Sequence, residues 1–89
     1  MKFLCYYQIL DGKGPEARKQ WTTKEENFFG VEMIARYHSA NGQQGVVIVE
    51  SDSPVNLASW AEQWDSVITI EIHPCNEDDG AMQAIEQAN

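Results

Sequence analysis

The sequence has few basic residues, few cysteines and no long apolar run. Its 89 residues include six Lys and Arg against fourteen Asp and Glu, which gives a formal net charge of −8. Nucleic acid and anionic membrane surfaces are therefore not expected as partners, because phosphate binding needs clustered basic side chains. No apolar stretch approaches the roughly 20 residues that a membrane-spanning helix needs.

Cysteine is represented only by Cys5 and Cys75, near opposite ends of the chain. Two cysteines without metal-type spacing cannot build a disulfide-dense scaffold, so we expect two reduced thiols in a cytoplasmic protein. Residues 1–10 contain one basic residue and an apolar run that is broken by Gln8, with no small-residue cleavage site after it. This segment is therefore expected to be mature structure and not a secretion signal.

The common motifs of cofactor sites are missing as well. The Gly12-Lys13-Gly14 turn is too short to cradle phosphates, and no serine or cysteine lies in a nucleophile motif. We therefore expect no cofactor and no metal. A single domain of this length buries only roughly 60–65% of its unfolded surface, so its core is thin and self-association is expected to supplement it.

The segments that are present alternate between strand and helix patterns. A helix is expected from Pro15, with Ala17, Trp21, Lys24 and Phe28 near one face, and a second from Pro54 with Ser53 as its cap. Asn41-Gly42 marks a hairpin turn, and Gln43-Gln44-Gly45 allows a loop longer than two residues. The predicted strands cover residues 3–10, 31–39, 46–51 and 67–74, and a last short helix falls after Asn76, its predicted cap.

The order β-α-β-β-α-β predicts a ferredoxin-like α+β domain over residues 1–75, followed by a short acidic helix or tail over residues 76–89. The four antiparallel strands would then run 4-1-3-2, with both helices on one face. The other face would be a large exposed apolar patch, which soluble monomers avoid. We therefore predict a homodimer in which the two sheet faces pack together.

Several short motifs carry a family resemblance. They are Met1-Lys2-Phe3, Arg36-Tyr37-His38, Glu50, Asp52, Pro54, Trp60, Trp64 and residues 71–74. With them the chain resembles the domain of unknown function 3303 family, within the dimeric α/β-barrel superfamily. That superfamily includes cofactor-independent monooxygenases, haem-degrading enzymes, lactone isomerases and stress-response proteins. The resemblance thus implies a fold and a dimer, and it selects no reaction. The family often has Trp where Tyr37 stands.

The candidate site residues gather in the same region. His38, at a strand end beside the hairpin, is the candidate acid or base, and its alternative is a histidine bonded to backbone. Arg36 either forms a cross-strand ion pair with Glu50, which requires a hairpin loop longer than two residues, or anchors a substrate carboxylate. Trp60 and Trp64 are either core or the walls of a ligand pocket.

The tyrosines and the two histidines are the remaining candidate site residues. Tyr6, Tyr7 and Tyr37 also allow both a packing and a ligand-binding role. His38 and His73 fall on the opposite edge strands, three strand spacings or about 14 Å apart, so they are not expected to share a metal ion within one chain.

Two functions follow as hypotheses. The first is a non-catalytic module that binds a small apolar or aromatic ligand, or a protein partner. The second is a cofactor-independent enzyme of the monooxygenase or isomerase type, acting on an aromatic or carbonyl substrate. In the enzyme, His38 would transfer protons, Arg36 and Tyr37 would make polar contacts, and Trp60 and Trp64 would form the walls. This second hypothesis requires a cavity that contains the His38 imidazole.

Overall fold

A computed structural model describes residues 1–89 and contains four strands and three helices. In chain order these are β1 (Lys2–Ile9), α1 (Gly14–Thr23), β2 (Glu32–His38), β3 (Gln44–Glu50), α2 (Pro54–Glu62), β4 (Ile68–Cys75) and α3 (Asp78–Ala88).

The four strands form one antiparallel sheet in the order β2-β3-β1-β4. This is the predicted 4-1-3-2 order read from the opposite edge, and it confirms the α+β class. The two central strands supply much of the core, because Cys5 of β1 and Val47 and Val49 of β3 are buried. Leu57 and Trp60 of α2 pack against them from one side.

Helix α2 begins as the sequence predicts. The Ser53 hydroxyl accepts a hydrogen bond from the backbone N–H of Asn56 at 3.1 Å, and Pro54 occupies the first turn. The hydroxyl satisfies a donor that the helix leaves unpaired, and the proline ring is preset for helical geometry. The cap therefore fixes the position from which Leu57 and Trp60 reach the sheet.

Strand β4 shows the predicted alternation. Ile68, Ile70 and Ile72 are half-buried, while the residues between them are exposed. Since successive side chains of a strand point to opposite faces, the isoleucines line the helix-covered face.

Helix α1 is shorter than predicted. It ends at Thr23, and Lys24 already has an extended backbone, so Lys24 and Phe28 do not continue the apolar stripe. The Thr22 hydroxyl bonds to the Arg18 carbonyl at 2.9 Å and the Thr23 hydroxyl bonds to the Lys19 carbonyl. Such local bonds from threonine compete with the regular helix, and a loop follows to Gly30.

The hairpin between β2 and β3 decides the partner of Arg36. Ser39 and Gln44 close the loop with a backbone bond of 2.8 Å, and Arg36 then lies opposite Val47. Glu50 lies opposite Glu32, so the Arg36–Glu50 ion pair, one of the two roles open to Arg36, does not form. In this register Arg36 shares the helix-covered face with Val47 and Val49, whereas Glu50 follows Val49 on the other face of the sheet.

The sheet face away from the helices is not covered by any element of the chain. We call it the outer face; its apolar and aromatic side chains are Leu4, Tyr6, Ile34, Tyr37, Val46 and Ile48. Tyr37 is 69% exposed there.

Helix α3 has no buried residue, and the molecule measures 49 × 27 × 17 Å. Its first helical turn follows Glu77, which replaces the predicted Asn76 as the cap.

Membrane-crossing helices are not found, because none of the three helices combines the necessary length and apolarity.

Candidate functional site

A cavity of about 380 Å³ lies between the sheet and helices α1 and α2. Its walls are mainly apolar and aromatic, with a few polar groups among them. The lining residues are Tyr7, Ile9, Ala17, Arg18, Trp21, Glu26, Arg36, His38, Ala40, Asn41, Gly42, Val47, Trp60, Trp64, Ile68 and Ile70.

All three tryptophans of the chain contribute to these walls. Trp60 is 2% exposed, Trp64 is half-buried and Trp21 is 49% exposed. The indoles therefore reach from the core to the mouth of the cavity. Trp60 and Trp64 lie where a ligand would need walls. Trp21 was not among the predicted site residues, although its place on the apolar stripe of α1 is a sequence signal for it.

One polar cluster joins a loop, a strand and a helix. Arg36 donates from Nη2 to Glu26 Oε1 at 2.9 Å and to Oε2 at 2.7 Å, and Trp60 Nε1 donates to Oε2 at 2.7 Å. The side chains of Arg36 and Glu26 are 20% and 9% exposed. Glu26 thus neutralises Arg36 and fixes the Trp60 ring, while Arg36 Nε and Nη1 make no hydrogen bond within the chain.

His38 forms the second polar contact of the cavity. Its Nδ1 lies 2.5 Å from the Tyr7 hydroxyl, and the Trp21 ring lies 4.8 Å away between centroids. His38 is an exposed residue of the cavity lining, and the partial burial of its ring, reinforced by the Arg36 charge, lowers its pKa from the usual 6.5. Burial also raises the pKa of Tyr7 above 10.0, which the Arg36 charge partly opposes.

The directions of these pKa shifts favour an uncharged pair at neutral pH. In the uncharged imidazole of His38 one ring nitrogen keeps a lone pair. Its Nε2 has no hydrogen-bond partner in the chain. The pair can therefore exchange a proton with a molecule in the cavity.

Gly45 makes the Tyr7–His38 contact possible. A Cβ at this position would lie 2.3 Å from Cε2 of Tyr7 and 2.3 Å from the carbonyl oxygen of Tyr37. Both distances are far below ordinary van der Waals contact. Because Gly45 of β3 has no side chain, the Tyr7 ring can cross that strand towards His38 on β2.

The structure brings together four of the five predicted ligand-binding residues: Arg36, His38, Trp60 and Trp64 line the cavity. Tyr37 does not, because it alternates with Arg36 and His38 on β2 and points to the outer face. A contact from Tyr37 to a ligand in this cavity does not agree with that geometry.

Sequence reasoning missed Arg18, Trp21 and Glu26 as residues of the site. Glu26 lies in an irregular loop between α1 and β2, where no periodic pattern predicts the direction of a side chain. Tyr7 allows a packing or a ligand-binding role in the sequence, and its spacing of two residues from Cys5 on β1 places both side chains on the same face of the sheet.

Metal-binding geometry is not found in the chain. No group of three or more His, Cys, Asp or Glu side chains converges. His38 lies on the helix-covered side of β2, whereas His73 lies on β4 at the other edge, with its ring 5.9 Å from that of Tyr6 on the outer face.

The fold and cavity define a small α+β domain with an aromatic-walled pocket beneath its helices. A family model matches the chain over residues 1–89, and the chain belongs to that family, which is described as a domain of unknown function (DUF3303). This confirms the family resemblance. No curated protein and no solved structure matches the chain.

Proposed function

We propose that the chain is a cytoplasmic, homodimeric domain that binds a small apolar or aromatic molecule in the cavity described above. The observation that carries the proposal is the cavity itself, walled by three indoles and aliphatic side chains and equipped with a few polar groups. Ligand sites in proteins have this composition, and their volumes of roughly 300–1,000 Å³ include this one.

Packing alone gives a weaker account of the aromatic residues. Indoles that served only the core would fill the space between the helices and the sheet, since protein interiors are close-packed. Here Trp21 and Trp64 instead border an open space of about 380 Å³. Among the lining residues, Arg36 Nε and Nη1, His38 Nε2 and the Arg18 guanidinium have no hydrogen-bond partner within the chain.

Binding is tested with N-phenyl-1-naphthylamine, a neutral aromatic probe whose fluorescence rises in apolar sites. Ala40→Trp places a bulky ring on an exposed residue of the cavity wall, and Ala58→Trp places the same ring on an exposed face of α2 away from the cavity. We expect the wild type and Ala58→Trp to bind the probe alike, and Ala40→Trp to bind it at least about tenfold more weakly.

Equal binding by the two variants would refute the proposal, because the probe would then be held outside the cavity. Far-UV circular dichroism of both variants verifies that each is folded.

The proposal includes a ferredoxin-like fold that pairs through its outer face into a dimeric α/β barrel. The strand order and the placement of α1 and α2 on one side of the sheet support the fold. The exposed apolar outer face supports the dimer, because Tyr6 and Ile34 are 45% and 43% exposed in the single chain. The free thiols Cys5 and Cys75 support a reducing, cytoplasmic setting.

The dimer is tested by Tyr6→Lys, which places a charge at the centre of the outer face on β1. Ala58→Lys makes the same change in charge on α2. Light scattering after gel filtration is expected to show a dimer for the wild type and Ala58→Lys, and a monomer for Tyr6→Lys. A monomeric wild type at micromolar concentration would exclude this assembly.

The Tyr7–His38 pair favours one alternative function, that of a cofactor-independent enzyme of the monooxygenase or isomerase type acting on an aromatic or carbonyl substrate. A neutral imidazole whose Nδ1–H donates to the Tyr7 hydroxyl oxygen keeps its lone pair on Nε2, and Nε2 can then take a proton from carbon next to a carbonyl. The C–H electron pair would pass to the carbonyl oxygen, and Arg36 has two donors available for that oxygen.

This alternative is tested by exchange of the α-protons of 2-tetralone in deuterated water, followed by NMR. An enzyme would accelerate exchange above the buffer rate, and His38→Gln would abolish the acceleration. If 2-tetralone binds but its α-protons exchange only at the buffer rate, the enzyme hypothesis is refuted and the ligand-binding function stands.

A further inference from the structure

From the charges around the cavity, we infer that its ligand is an aromatic monocarboxylic acid, bound as the anion with its carboxylate on Arg18. This inference rests on the proposed ligand-binding function and adds the charge class of the ligand. Arg18 belongs to α1 and lines the cavity beside Trp21.

Formal charges around the cavity are limited to Arg18, Glu26 and Arg36. Glu26 and Arg36 neutralise each other through two hydrogen bonds. His38 adds no charge at neutral pH. The lining therefore carries one uncompensated positive charge, in a protein whose formal net charge is −8.

Arg18 is the source of that charge. The ion pairs of the chain employ Lys2, Lys13, Arg36, His73 and the N-terminal amine, and none of them includes Arg18. Its guanidinium lies over Gly14, where a Cβ would be 3.2 Å from Nη1. The side chain thus folds back along α1, remains exposed, and makes no hydrogen bond within the chain.

A carboxylate is the complementary group. The planar guanidinium matches the two oxygens of a carboxylate, which gives both charge and geometry. The indoles then take the flat ring of the ligand by stacking or edge contacts. A dianion is disfavoured, because the lining offers one uncompensated positive charge and the protein as a whole is acidic.

The test compares 2-naphthoate with 2-naphthamide, which has the same size and shape but no charge. Isothermal titration calorimetry measures both with wild type, Arg18→Gln and Lys19→Gln. Lys19 is the matched control, because it is an exposed base on the same helix that does not line the cavity.

We expect wild type to bind the naphthoate about fivefold more tightly than the amide, as for a solvent-accessible charge pair. Lys19→Gln should keep this preference and Arg18→Gln should lose it. A preference that survives in Arg18→Gln, or an amide that binds wild type equally well, would overturn the charge assignment and leave the binding function standing. If neither compound binds the protein or displaces N-phenyl-1-naphthylamine, the charge assignment is refuted. If N-phenyl-1-naphthylamine also does not bind, the ligand-binding function is refuted as well.

Discussion

Substitution of Glu26 gives the most specific prediction about the stability of the folded chain. The Glu26 carboxylate accepts two bonds from Arg36 and one from Trp60, and it is 9% exposed. Glu26→Ala removes all three bonds at once. It leaves a largely buried guanidinium without its counter-charge and an indole N–H without its acceptor.

The magnitude follows from these two losses. A buried donor without a partner costs about 1–3 kcal/mol, and breaking a fully buried ion pair costs about 3–5 kcal/mol. Arg36 is 20% exposed, so water replaces part of the lost interaction. We expect the free energy of unfolding to fall by about 3 kcal/mol, which for a chain of this size lowers Tm by about 12–24 °C.

The assay is urea denaturation followed by far-UV circular dichroism. Glu25→Ala is the control, because it removes the neighbouring exposed carboxylate and changes the net charge equally. Arg36→Met and the double variant Glu26→Ala/Arg36→Met complete a mutant cycle. The double variant should be more stable than the sum of the two single losses predicts, since it leaves no unpaired charge.

A Glu26→Ala variant as stable as Glu25→Ala would refute the reasoning, and so would additive losses in the cycle. Either result would mean that water already satisfies Arg36 in the folded chain.

Three further predictions concern single residues. Cys5 is buried, and burial raises the pKa of its thiol to about 11, so iodoacetamide should label Cys75 first in the folded chain; equal labelling by mass spectrometry would contradict this. Because the folded chain holds the pKa of His38 below 6.5, the unfolded chain takes up the proton first as pH falls. Stability should therefore decrease below pH 6.5, less so in His38→Gln, and NMR titration of the imidazole should give a midpoint under 6.5. Gly45→Ala should destabilise by about 1–3 kcal/mol in urea denaturation by pushing Tyr7 aside, and an unchanged midpoint would exclude the close approach.

The sequence predicts the framework well because its signals are local and periodic. The Ser53-Pro54 start of α2 and the alternating isoleucines of β4 each have one physical interpretation. Strand order then follows from the succession of elements. The end of α1 is harder to predict, because Thr22 and Thr23 tolerate helix and loop almost equally.

The site is harder still, because it depends on register and on a loop. The face on which Arg36 lies is fixed by the closing bond between Ser39 and Gln44 and by the bulge between Met33 and Ala35. Its true partner, Glu26, comes from a loop without periodicity. No pattern in the sequence indicates that this loop turns back to the sheet.

The placement of every tryptophan around one cavity has an optical consequence. The intrinsic emission of the folded protein arises almost wholly from Trp21, Trp60 and Trp64, so it reports on this space and on little else. The three indoles differ in exposure, so a dissolved quencher reduces the emission of Trp21 and not that of Trp60. The contributions of the two residues can therefore be distinguished. The protein thus carries its own fluorescent indicator of occupancy, and compounds can be screened against it without a label.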